Sequence, residues 1–132
     1  MDESALQSIP LFESLPGDAR RVIAQHADEV DVDEGTNLVR QGEFAYEFFV
    51  IETGGAEVMR DGEHIADLGP GDFLGEMGIV SKGARNATVT TTSASRVIVM
   101  TEQDFRSMSH SNPEIASRIK AAVEERCDAL VA

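Results

Sequence analysis

The spacing of apolar positions changes period twice along the chain. Between residues 5 and 27 it is helical. Leu6, Ile9 and Phe12 begin one apolar face, Pro16 interrupts it, and Pro16-Gly17-Asp18 opens a second helix with Ala19, Val22, Ile23 and Ala27 on one side. From Val30 onward, short apolar runs alternate with turn signals at intervals of roughly ten residues, the rhythm of a β-sandwich or barrel. Those signals are Glu34-Gly35, Gln41-Gly42, Gly54-Gly55, Asp61-Gly62 and Gly69-Pro70-Gly71. Phe48-Phe49-Val50-Ile51 and Val97-Ile98-Val99-Met100 are continuous apolar runs, so both are predicted to be strands buried on two faces. Ala56 to Arg60 and Glu63 to Leu68 flank Asp61-Gly62, a two-residue hairpin turn in which both residues take positive φ. Asn86 to Thr92 is rich in β-branched residues.

After Thr101 the helical period returns. Thr101 is the expected cap of a short helix with Phe105 and Met108 on one face. Asn112 is the expected cap of a longer helix with Pro113 at its first position. Ile115, Ile119, Ala122, Val123 and Leu130 form an apolar stripe down that last helix. The stripe is wide enough to cover a barrel, a ligand or another chain. The expected organisation is one module over residues 1–132. It has a helical entry over about 5–27, a β-roll over about 28–101 and C-terminal helices over about 102–131, with no repeat, linker or low-complexity tract.

Composition narrows the class. A chain of 132 residues with 42% hydrophobic and 27% charged residues reads as a globular domain with one core. No run is apolar and long enough to span a bilayer. The acidic start, Met1-Asp2-Glu3-Ser4, does not resemble a secretory signal. A single Cys127 excludes an internal disulfide and fits a reducing cytoplasm. The formal net charge is −13, and residues 1–71 carry 16 acids against 4 bases while 72–132 carry 8 against 7. A field of that sign opposes nucleic acid and anionic membrane. It also repels a phosphate at long range, so an anion site must rely on local donors, and the nearly neutral second half is where one fits.

That half contains Phe73-Leu74-Gly75-Glu76-Met77-Gly78-Ile79 and, after a short gap, Ala84-Arg85-Asn86-Ala87-Thr88-Val89. An ionised Glu76 accepts hydrogen bonds only, which suits a sugar hydroxyl. Arg85 presents a planar fork of donors that matches two phosphate oxygens. Gly75 and Gly78 let backbone amides approach an anion closely. Together these parts suit a small ligand bearing both a ribose and a phosphate.

With those residues in place, the chain resembles the cyclic nucleotide-binding domain family over roughly Ile9 to Ala122. The strongest likeness is to the family's phosphate-binding cassette, an acid after glycine followed by Arg-x-Ala-Thr/Ser-Val. Glu34-Gly35, Leu38-Val39-Arg40-Gln41-Gly42-Glu43, Phe48 to Ile51 with Gly54, and Ile9-Pro10-Leu11-Phe12 with Leu15-Pro16 match further blocks of the pattern. The resemblance implies a mainly β fold with flanking helices. It is an antiparallel β-roll or jelly-roll barrel with N-terminal helices, a short cassette helix and C-terminal lid helices. It also implies that Glu76 takes the ribose 2′-OH and Arg85 the cyclic phosphate of cAMP or cGMP. Amides of Gly75, Gly78, Asn86 and Ala87 would complete the cradle, with Met77 between the glycines. Ile65 and Leu68 are candidates for the wall against the base, and Val123 and Arg126 for its lid. By the same resemblance Ile79 would answer to phosphate binding and move against Phe105 or Met108. The residue after the arginine is Asn86, where a threonine would favour cGMP, so the expectation leans to cAMP. Lys82 reads as an exposed turn residue.

A metal-dependent cupin-like enzyme is the first rival. It needs clustered imidazoles, whereas His26, His64 and His110 fall on separate elements with no His-x-His pair. Cys127, among Glu124, Glu125 and Asp128, sits in a field that keeps a thiol protonated. The expectation is therefore a cytoplasmic sensor and not an enzyme, with no metal, no cofactor beyond its nucleotide ligand, and no direct contact with nucleic acid or membrane. A homodimer, or an output domain joined through the last helix, stays open. So do two alternatives: the sensor part of a larger regulator, enzyme or channel, and a degenerate member serving as an interaction scaffold.

Overall fold

A computed structural model describes residues 6, 9, 13, 17–43, 47–74, 87–114, 116–117 and 121. Within them, helix α1 (Gly17–His26) precedes strands β1 (Asp28–Val32), β2 (Asn37–Val39), β3 (Glu47–Thr53), β4 (Ala56–Arg60), β5 (Glu63–Leu68), β6 (Phe73–Leu74), β7 (Thr88–Thr91) and β8 (Ser95–Thr101), and helix α2 (Glu102–Ser111) follows. The strands form two four-stranded antiparallel sheets, ordered β1-β8-β3-β6 and β2-β7-β4-β5. The expected roll is present, but these sheets do not close into a barrel. Several passages from one sheet to the other fall at glycine turns instead of continuing a ladder. Gly54 makes one such crossing, at φ 93°, and a Cβ there would lie 2.2 Å from Ser95 Oγ.

The two apolar runs are buried on both faces, as their unbroken hydrophobicity requires. In β3, Phe48 and Val50 face the helices while Phe49 and Ile51 face the second sheet. In β8, Ile98 and Met100 face the helices and Val97 and Val99 face inward. β6 repeats the division with Phe73 and Leu74. The fold therefore has three layers: helices, first sheet, second sheet. Leu6, Ile9, Ala19, Ile23, Ala24 and Met108 fill the helical side, while Val39, Val58, Leu68, Ala87 and Val89 join the space between the sheets.

Local chemistry accounts for the element ends. Asp61 (φ 53°) and Gly62 (φ 79°) form the β4–β5 hairpin turn with the two positive φ angles predicted. Thr101 caps α2 and does more than the sequence indicated. Its hydroxyl accepts from the Asp104 amide at 3.0 Å, and the Asp104 carboxylate accepts from the Thr101 amide at 3.2 Å, closing a reciprocal capping box. Asn112 ends α2 by donating its amide to Met108 O at 2.7 Å, and its carbonyl accepts from the Ala116 amide at 3.1 Å. One residue thus closes one helix and opens the next, with Pro113 at the first position. Thr101→Ala is expected to cost about 1 kcal/mol of stability in urea denaturation, with Thr101→Ser close to the parent protein.

Three expectations shift. β1 begins at Asp28, where the β-roll was expected to start, but Val30 is 40% exposed although apolar. On α1, Ala24 is buried while Val22 is only partly so. On the last helix, Ala116 is buried although it was not part of the predicted stripe. Ile115, Ile119, Ala122, Val123, Leu130, Phe12 and Pro16 lie outside the described residues.

Candidate functional site

The predicted cassette runs from residue 75 to 89, and its last three residues, 87–89, are described. Gly75, Glu76, Met77, Gly78, Ile79, Lys82, Arg85 and Asn86, and the expected cassette helix with them, lie outside the described residues, as do the lid candidates Val123 and Arg126. The frame on either side is described. The chain reaches residue 75 from β6, which pairs with β3 through Phe49 opposite Leu74 and Val50 opposite Phe73. Phe48 and Phe73 add a tilted ring contact with centroids 5.8 Å apart. The chain returns from residue 86 through Ala87 into β7, an internal strand between β2 and β4. The motif therefore links an edge strand of one sheet to an interior strand of the other.

Both ends of this link are fastened by main-chain bonds. Ahead of β6, the Ile51 amide donates to Asp72 O at 2.8 Å and the Gly71 amide donates to Ile51 O at 2.7 Å. The turn itself is closed by the Gly69 amide on Asp72 Oδ2 at 2.8 Å and the Asp72 amide on Gly69 O at 3.0 Å. On the far side Ala87 is fully enclosed between the sheets. Thr88, the threonine of the motif, accepts a hydrogen bond at Oγ1 from the Gln41 amide at 2.9 Å. Gln41 then grips the β4–β5 turn: its Nε2 donates to Asp61 Oδ1 and its Oε1 accepts from the Asp61 amide, both at 2.9 Å. Sequence reading treated Gln41-Gly42 as a turn signal only. The one available cue is a glutamine in the turn, able to donate and accept at once.

The two wall candidates lie in different surroundings. Leu68 is 5% exposed and packs in the core between the sheets. Ile65 is 38% exposed. It is the extra residue where the β4–β5 register shifts, since Val58 faces Ala66 and Met59 faces His64. Beside this bulge, His64 Nε2 and Asp67 Oδ1 are 2.8 Å apart, and that hydrogen bond holds the imidazole above its ordinary pKa. Both side chains are exposed, so the pair contributes little to stability. The switching candidates Phe105 and Met108 pack on the helical side, Met108 fully buried and Phe105 partly. Among the described residues no group of three or more His, Cys, Asp or Glu is placed to hold a metal ion, and no helix is long and apolar enough to cross a membrane.

The frame and motif agree with the comparisons to known proteins. The family model described as "Cyclic nucleotide-binding domain" matches residues 29–112, and the chain belongs to that family. The cAMP-dependent protein kinase regulatory subunit of Schizosaccharomyces pombe is 36% identical over 88 residues, covering 66% of this chain and 21% of that protein. A cyclic nucleotide-gated potassium channel of Rhizobium etli is 33% identical over 119 residues, covering 90% of this chain and 33% of that protein. The crystal structure of a cyclic nucleotide-binding domain from Methylobacillus flagellatus has the same fold, with a TM-score of 0.83 at 18% identity over 96% of this chain and 74% of that one. The chain thus spans between a fifth and a third of the length of those two curated relatives. A kinase regulatory subunit and a channel are among the proteins it resembles in part.

Proposed function

We propose that this chain senses a cyclic nucleotide, preferring cAMP, and passes the binding event to its C-terminal helices. The observation that carries this reading is the pair Gly75-Glu76 and Arg85-Asn86-Ala87-Thr88-Val89, lying inside the family match and suspended between β6 and β7. In this reading Glu76 accepts from the ribose 2′-OH and the Arg85 fork pairs with the cyclic phosphate. Amides of Gly75, Gly78, Asn86 and Ala87 complete the anion cradle, with Met77 on the same turn. Ile65 and Leu68 form the wall beside the base, and Val123 and Arg126 its lid. The relatives' own names, one for cAMP and one for a cyclic nucleotide, support the ligand class.

The ligand acts by biasing a two-state element. Ile79 is the residue that answers to phosphate, with Phe105 and Met108 as its partners on α2. The protein works in the cytoplasm without catalysis and without direct contact with nucleic acid or membrane. Its output runs through the last helix, to a second copy or to a joined domain.

A thermal-shift titration with cAMP and cGMP side by side tests this. A ligand that binds only the folded form at one hundred times its Kd adds about 2.7 kcal/mol of apparent stability. The expected result is stabilisation by both, reached at lower concentration with cAMP. No shift with either nucleotide would leave the scaffold alternative standing. Glu76→Gln is expected to lose about 1–2 kcal/mol of affinity for cAMP, because a charge-assisted bond becomes a neutral one. The same variant should lose little for 2′-deoxy-cAMP. Equal losses in calorimetry would remove the ribose role.

A further inference from the structure

On the helix-facing side of the first sheet, four charged residues from three neighbouring strands converge. Arg96 on β8 is the sole cation of the group. Its Nε lies 3.2 Å from Asp31 Oδ1 and its Nη2 lies 3.7 Å from Glu29 Oε1, both acids being on β1. Glu52 comes from β3, on the other side of β8. It is the extra residue where the β3–β8 register shifts, since Ile51 faces Val97 and Thr53 faces Arg96. The bulge turns its carboxyl toward Glu29, and Oε2 is enclosed with no hydrogen-bond partner among the described residues. The three carboxylates are not arranged to hold a metal ion.

Two carboxylates can hydrogen-bond only if one of them carries a proton. We propose that Glu52 holds such a proton against Glu29, making a pH-sensitive latch that ties β1, β8 and β3 together at the bulge next to the approach to residue 75. With the proton in place Glu52 donates and Glu29 accepts, and the cluster carries one negative charge fewer. Without it, a half-buried anion faces Glu29 and Asp31 with one guanidinium shared among them. Burial, the hydrogen bond to Glu29 and the charge of Glu29 push the Glu52 carboxyl up to about 7; Arg96 opposes the rise and Asp31 adds to it. Asp72, in the turn whose backbone is bonded to Ile51, has its Oδ2 held by the Gly69 amide; β6 contributes no charge. Ile51, the residue before Glu52, is bonded through both its amide and its carbonyl to Asp72 and Gly71. A change at the bulge is therefore felt one residue away in the strap that leads to β6.

The direction follows from linkage. A carboxyl whose folded pKa exceeds its ordinary 4.5 binds its proton more tightly in the folded chain. The stability it contributes is present at low pH, declines as pH rises toward about 7, and does not change further above that. This holds whether or not the chain binds a nucleotide.

Carbon-13 NMR of the glutamate carboxyls in the full chain is the direct test. Glu52 is expected to titrate near neutrality, with the Gly71 amide resonance moving at the same midpoint. In Glu29→Gln the midpoint should shift down toward the ordinary carboxylate range. Thermal unfolding from pH 5.5 to 8 should show the melting temperature of the parent protein falling to a plateau, and Glu52→Gln should flatten that slope. A Glu52 midpoint in the ordinary range, a Gly71 amide that does not follow it, or an unchanged slope in Glu52→Gln would overturn the proposal. The titration of the parent protein decides the matter even if a variant fails to fold.

Discussion

Arg85→Ala is expected to weaken cAMP binding by about 2–5 kcal/mol, or roughly 30- to 5,000-fold. The size of the loss comes from the setting. The chain carries a formal net charge of −13, so the surrounding field works against any phosphate. Backbone amides supply directed donors but no full charge. In the proposed site the guanidinium alone would neutralise the ring phosphate, and its removal would leave that anion partly desolvated and unmatched. Arg85→Lys should recover only part of the loss, because an ammonium lacks the planar fork. Isothermal calorimetry on both variants measures this directly, and near-parental affinity in Arg85→Ala would discard the phosphate assignment. A circular-dichroism spectrum matching the parent's would separate lost binding from lost folding.

The second large effect is expected at Leu74. This side chain is fully buried between the sheets, at the last described position before residue 75. Its strand has only two residues and pairs with β3 alone. Side-chain packing must therefore hold β6 where a longer strand would use its ladder: Phe73 on the helical side and Leu74 on the other. Leu74→Ala leaves a cavity bounded by rigid strands and should cost about 2–5 kcal/mol in chemical denaturation. Leu74→Met, which keeps the volume, should cost less than about 1.5 kcal/mol. A loss well under 1 kcal/mol in Leu74→Ala would mean that the neighbouring side chains collapse to fill the site.

Much of this frame was legible because local chemistry dictated it. Asp61-Gly62 requires a particular turn, and the turn is there with both positive φ angles. The unbroken runs at 48–51 and 97–100 demanded two buried faces and have them. Thr101 is legible as a cap, whereas its reciprocal partner Asp104 departs from the usual Glu or Gln of a capping box. The remainder depended on long-range meetings that no local pattern encodes. β1 reads Asp-Glu-Val-Asp-Val, more charged than apolar, and its strand state comes from pairing with β8, far along the chain. Gln41 gains its role only when Thr88 and Asp61 are brought to it. Glu52 looks like an ordinary strand residue until a bulge turns it toward an acid two strands away. The motif was the clearest feature of the sequence, but Glu76 and Arg85 fall outside the described residues. Their roles rest on residue chemistry and on the family match.

Neighbouring residues of β3 belong to different compartments, Phe48 and Val50 to one and Phe49 and Ile51 to the other. The strand is a party wall between the two. Sliding or tilting it disturbs both rooms at once, and neither can relax by itself. A mechanical cue arriving at the inter-sheet side therefore needs no chain of intermediaries to reach the helices, because the two sides are a single peptide step apart.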